Sequence, residues 1–135
     1  MIVSDAGILA NAVGDDQAGG SRARAILIAQ GPVSIPHLAD IEAVTVLRRR
    51  WLRGTLDSAR FSRALNDLAR LPLSRHAALP YLQRVFELRA NVSAYDAVYV
   101  ALAETLGCAL ATTDARLSRA TGIRCPIIVV GDFAR

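Results

Sequence analysis

The apolar positions of this chain fall into two kinds of pattern. Short, mostly apolar runs such as "IVS" (2–4), "VSI" (33–35), "CALAT" (108–112) and "PIIVV" (126–130) read as strands buried on both faces. Longer stretches between them carry apolar residues at helical spacing. These predict helices over "AGILANAV" (6–13), "SRARAILIAQ" (21–30), "HLADIEAVTVLRRRWLR" (37–53), "LDSARFSRALNDLARL" (56–71), "RHAALPYLQRVFELRA" (75–90) and "SAYDAVYVALAETL" (93–106), with a short one over "DARLSRAT" (114–121). Boundary residues sharpen the reading. Ser21 and Gly31 bracket the second helix, Pro36 opens the third, Gly54 stops it, and Thr55 caps the fourth. Pro80 should kink or split the fifth, and Gly107 ends the sixth. "GDDQAGG" (14–20) reads as the main loop, and "LPLS" (71–74) as an irregular or short extended piece.

Strands alternating with helices predict an α/β fold, with a mostly parallel sheet covered on both faces. Such sheets place ligands at the carboxyl ends of their strands. Asp5 follows the first strand and Asp114 follows "CALATT". Glu42 lies about two turns into the helix after "VSI", and Asp96 lies in the first turn of its own helix. Each acid has an ordinary explanation. Asp5 and Asp114 can cap helices. Ser93 and Asp96 fit a capping box. Glu42, Thr45, Val46 and Arg49 can form a solvated stripe. Asp40 reads as a first-turn helix acid. Taken together, however, four acids from separate segments meet at one sheet edge in the predicted fold. Carboxylates gathered there repel one another unless a cation neutralises them.

Oxygen donors suit magnesium or manganese rather than zinc. Only His37 and His76 offer imidazole. A divalent ion held by carboxylates activates water for in-line attack on a phosphodiester. The chain's 135 residues, 53% hydrophobic, suit one domain spanning 1–135 with a sizeable core. There is no internal repeat and no apolar run long enough to span a bilayer. The N-terminus lacks a basic segment and carries Asp5 within its apolar stretch, so the expected location is cytoplasmic, away from membranes. Cys108 and Cys125 have no metal-site spacing and read as buried, reduced thiols. The net charge is +4, and all 16 basic residues are arginine. That balance suits a nucleic acid or an acidic protein as partner, and equally a GC-rich genome.

The blocks "IVSDA", "PHLADIEAVTVLRR", "NVSAYDAVYVALAE" and "LATTDARLSRA" together resemble the PIN-domain ribonucleases, and among them the VapC toxins of bacterial toxin–antitoxin pairs. The likeness runs from Met1 to about Ala120. It implies a three-layer α/β/α PIN-like domain and Mg²⁺- or Mn²⁺-dependent endoribonuclease activity. It further implies a homodimer and a cognate VapB-like antitoxin that covers the acidic groove with cationic groups. The family's acidic site falls on Asp5, Glu42, Asp96 and Asp114 as metal ligands. Its hydroxyl beside the last acid matches Thr113, with Thr112 next to it, as a supporting contact. One departure stands out: Gly7 occupies a position where this family often has serine or asparagine.

"RRRWLR" (48–53) is the densest positive cluster. Arg48, Arg49 and Arg50 point about 100° apart, so only one or two can face RNA or antitoxin. Trp51 reads as a core or dimer contact, with base stacking as the other reading. A receiver domain would need a lysine, and this chain has none. A haloacid-dehalogenase-like phosphatase would need DxD after the first strand, and dinucleotide or P-loop binding would need its glycine-rich motif. All of these are missing. The rival from another class is a non-catalytic RNA- or protein-binding module that keeps the fold.

Overall fold

A computed structural model of the chain describes residues 1–131. Its strands β1 (Ile2–Ser4), β2 (Val33–Pro36), β3 (Leu73–His76), β4 (Ala109–Thr112) and β5 (Ile127–Val129) form one sheet in the order β3-β2-β1-β4-β5. Every pairing is parallel. The α-helices are α1 (Ala6–Gly14), α2 (Ala18–Ala29), α3 (Leu38–Leu52), α4 (Ser58–Arg70), α5 (Leu82–Glu87) and α6 (Ala94–Leu106). Short 3₁₀ turns span Leu79–Tyr81 and Ala115–Arg119. Helices α1 to α4 pack on one another, while α5 packs on α6, which lies against β1, β2 and β4. The result is the expected three-layer α/β/α arrangement.

The strand order positions the site. The chain first steps outward from β1 to β2 and β3, then returns to the other side of β1 for β4 and β5. Parallel crossovers are right-handed, so this reversal sends the connecting helices to opposite faces. A crevice therefore opens beyond the carboxyl ends of β1 and β4. Asp5 and Asp114 follow those two strands.

Helix α6 is buried on every side from Ala97 through Ala103, because it fills the layer between the sheet and α5. Ser93 accepts the Asp96 N–H at 3.2 Å and starts the helix. Gly107, at φ +68°, ends it in the left-handed conformation that glycine adopts without strain. Truncating fully buried Leu102 to alanine in this layer should cost about 2–5 kcal/mol.

Several boundaries differ from the sequence reading. The loop is shorter than 14–20, because α2 begins at Ala18 and Ser21 lies inside it. Gly20 serves packing rather than turning, since a Cβ there would stand 1.7 Å from the Asp15 carbonyl oxygen. Pro36 closes β2 instead of opening α3. Asp57, not Thr55, caps α4 by accepting the Arg60 N–H. Thr55 instead donates its hydroxyl to the Arg50 carbonyl. Arg75 and His76 belong to β3, where pairing with β2 outweighs their helical surroundings in sequence. Pro80 does split its segment, into a 3₁₀ turn and α5. Trp51 is 43% exposed and donates its indole N–H to Ser58, so it is not a core residue. Cys108 and Cys125 are free thiols but only half-buried.

Candidate active site

A cavity of about 650 Å³ opens at the strand reversal. Asp5, Glu42, Asp96 and Asp114 all line it, so the fold gathers the four acids from four separate segments. Helix α3 contributes Ile41, Glu42, Thr45, Val46 and Arg49 to the wall. The predicted solvated stripe is thus a cavity wall. Helix α6 contributes Tyr95, Asp96 and Tyr99, and the β4 end contributes Thr113.

Asp5 is the most firmly held of the four. Its Oδ1 accepts the Ile8 N–H at 3.0 Å, which caps α1. Its Oδ2 accepts the Thr112 hydroxyl at 2.5 Å and the Thr113 N–H at 3.1 Å. Thr112 is completely buried, and its oxygen also accepts the Asp114 N–H at 2.9 Å. One hydroxyl therefore ties two acids from different segments to the same strand end. Sequence reading offers Thr113, with Thr112 beside it, as the supporting hydroxyl; in the structure the Thr112 hydroxyl makes that contact. Thr113 supplies its backbone N–H, while its side chain stands against Gly7. A Cβ at Gly7 would lie 2.5 Å from Thr113 Oγ1, so glycine fits there because Thr113 fills the space.

Glu42 accepts a 2.6 Å hydrogen bond from the Tyr99 hydroxyl. Tyr99 is 3% exposed, yet its polar end reaches the site. The available clue was its spacing: three residues after Asp96, it shares a helix face with that acid. Asp114 caps the 3₁₀ turn by accepting the Arg116 N–H, and the Arg116 guanidinium grips both of its carboxylate oxygens. Asp40 stays out of the cavity and forms a two-point ion pair with Arg75. Within the arginine cluster, Arg49 lines the cavity, Arg50 donates to Asn11, and Arg48 is exposed.

The electrostatics divide the four acids. Burial pushes the Asp5 carboxyl above its usual range, and the nearby Asp96 charge adds to this. Burial likewise raises Glu42, with Asp96 and Asp5 adding, although the Tyr99 bond opposes it. Asp96 is also raised by burial, with Asp114 adding. Asp114 alone is lowered, because Arg116 binds it. Three of the acids therefore lack compensation for their charge, which a cation would supply.

Among the described residues, no three His, Cys, Asp or Glu side chains are grouped to hold an ion by themselves. The oxygen-only donor set, with two oxygens of Asp5 already engaged, does not fit a closed protein cage. It does fit a hydrated Mg²⁺, which takes one or two carboxylates directly and keeps several waters. No helix among the described residues is long and apolar enough to cross a membrane.

Comparison with known proteins agrees with this architecture. The PIN domain family model matches residues 2–123. The chain is 46% identical over 131 residues to VapC ribonuclease Mb0985 of Mycobacterium bovis, covering 96% of this chain and 98% of that protein. Ribonuclease VapC9 of Mycobacterium tuberculosis is similar to the same extent. Among solved structures, Mycobacterium tuberculosis VapC20, a sarcin-ricin loop cleaving toxin, has a TM-score of 0.70 at 17% identity, covering 92% of this chain and 97% of that one.

Proposed function

The chain belongs to the PIN-domain family, among its VapC ribonucleases, and from that premise we propose that it is a metal-dependent endoribonuclease toxin. The observation that carries the metal dependence is the cavity itself, where Asp5, Glu42 and Asp96 are raised by burial and have no arginine in ion pairing among the described residues. Mg²⁺ or Mn²⁺, when bound, supplies charge neutralisation and a Lewis acid for the scissile phosphate.

The side chains divide the remaining work. Asp5, fixed by Ile8, Thr112 and Thr113, is the anchoring ligand. Glu42, turned by Tyr99, and Asp96 complete the acidic face and orient the attacking water. Asp114 joins them once Arg116 lets go, and the freed guanidinium then faces a phosphate. Thr112 and Thr113 keep the first and last acids in register. Arg49 holds RNA or antitoxin, with Arg48 and Arg50 as lesser contacts. In this reading the protein works in the cytoplasm as a homodimer. It is held inactive in a hetero-oligomer by a VapB-like antitoxin that presents cationic groups to the acids. Structured RNA such as tRNA is the proposed substrate class.

The test is direct. The chain, freed of antitoxin, is incubated with total RNA in Mg²⁺, in EDTA, and in EDTA followed by excess Mg²⁺. Cleavage should stop in EDTA and return with the metal. Equal cleavage in all three rejects the metal mechanism. No cleavage with Mg²⁺ or Mn²⁺, together with retained RNA binding, selects the non-catalytic binding module instead.

A further inference from the structure

An aromatic side chain left in water at the rim of a charged cavity needs an explanation. Tyr95 is 65% exposed, immediately precedes Asp96, and lines the acidic cavity. Among the described residues its side chain makes no hydrogen bond and its ring meets no cation. Arg49 is exposed, lines the same cavity from α3, and takes part in none of the ion pairs among the described residues. Trp51, the stacking candidate suggested by the sequence, does not line the cavity and gives its N–H to Ser58. A second hollow of about 360 Å³ shares Asp96 and Asp114 with the main cavity. Asn91, Ser93 and Arg116 line it. The main cavity thus carries a tyrosine and an arginine beside the acids, and the adjoining hollow carries an arginine and two neutral polar residues.

An RNA strand crossing carboxylates is repelled by them and must be gripped on either side. An unpaired base can stack on an aromatic face whatever its identity, and an arginine can take the adjoining phosphate. A paired base has no free face to offer, so this arrangement selects single-stranded RNA or a loop. We propose that Tyr95 and Arg49 form a subsite at the cavity rim, in which one unpaired RNA base stacks on Tyr95 and its phosphate pairs with Arg49. The proposal rests on the ribonuclease reading and names how that site holds its substrate. Tyr95 does no chemistry in it; the residue positions the strand over the acids.

The experiment uses the full chain freed of antitoxin, in an Asp96→Asn background that leaves RNA intact. The probe is a short single-stranded oligoribonucleotide carrying 2-aminopurine, whose fluorescence reports stacking. Binding should change the fluorescence. Tyr95→Ala should abolish that change and weaken binding about tenfold, while Tyr95→Phe retains both. Arg49→Gln should reduce the slope of log affinity against log salt by about 0.7, the value for one phosphate contact on a single strand. In the cleaving parent, Tyr95→Ala should raise KM far more than it lowers kcat. Unchanged RNA binding and stacking in Tyr95→Ala overturns the subsite. Weakened binding of the cognate antitoxin, with RNA binding intact, also overturns it and assigns Tyr95 to the protein interface. If the parent chain neither binds nor cleaves RNA, the ribonuclease reading falls and the subsite with it. If the parent cleaves and only the Tyr95 effects are missing, the subsite falls alone.

Discussion

Asp40 and Glu42 stand two residues apart on α3 and are treated in opposite ways. Asp40 faces β3, where Arg75 binds both of its oxygens at 2.7 and 3.1 Å. Glu42 faces the cavity and, among the described residues, receives only a phenol hydrogen bond. The same contrast extends across the molecule. On the flanks, Asp16 meets Arg60 and Glu104 meets Arg84. In the cavity, Asp5, Glu42 and Asp96 are hydrogen-bonded but not neutralised, and the carboxyls of all three are raised. This arginine-rich chain gives none of these three acids an ion-paired arginine among the described residues. A folded protein keeps unneutralised carboxylates together only at a cost, and such groups concentrate at functional sites.

The most forceful way to break this contrast is to remove a cavity charge. Asp96→Asn keeps the shape and the Ser93 start of α6, since that contact uses the residue 96 backbone N–H. Cleavage should fall to background. Metal-free stability should hold or rise at neutral pH. The sign follows from the raised carboxyl: the folded chain binds this proton more tightly than the unfolded chain does. The wild-type chain is therefore favoured at low pH and loses that advantage as pH rises through the shifted range. Melting both proteins between about pH 4 and pH 7 should show the gap moving in favour of the variant as pH rises. A variant that melts far below wild type at pH 7 would show that Asp96 stabilises the fold rather than strains it.

Thr112→Val cuts the tie between two acids. It removes a donor to Asp5 and an acceptor for the Asp114 N–H, both supplied by a fully buried side chain. Urea unfolding should show a loss of about 1–3 kcal/mol, and cleavage should drop about 10–100-fold as the anchoring acid loosens. Tyr99→Phe is milder. Glu42 loses its one donor, stability falls by about 1 kcal/mol, and the Mg²⁺ concentration giving half-maximal cleavage should rise about tenfold. Asp40→Asn sets the lower bound. It breaks a partly exposed pair, so stability should fall by no more than about 1 kcal/mol, with the cleavage rate unchanged. A large loss of cleavage in Asp40→Asn would erase the distinction between flank and cavity acids.

Much of the candidate site was legible in the sequence because its residues also obey local rules. Asp5, Asp96 and Asp114 sit at strand ends or helix starts, positions that periodicity and capping chemistry locate without tertiary knowledge. Strands β1, β2, β4 and β5 were readable for the same reason, as near-continuous apolar runs. Strand β3 was not. "LSRH" (73–76) carries two basic side chains and looks like neither a buried strand nor its edge, and only its pairing with β2 makes it extended. The glycines at 19 and 20 looked like a turn, and close packing against Asp15 turned them into helix.

The sequence alone determined the α/β alternation and the ends of most elements, because these depend on residues near one another in the chain, and it offered the four acids as candidates. Tertiary structure alone decided which groups meet. It chose Thr112 over its neighbour Thr113 as the hydroxyl on Asp5, brought Tyr99 from α6 to Glu42 on α3, and gave Arg75 to Asp40 while Glu42 has no ion-paired arginine among the described residues. Those contacts span 107, 57 and 35 residues. No local periodicity encodes such distances; the reversal of strand order at β1 does, by folding distant segments onto one sheet edge.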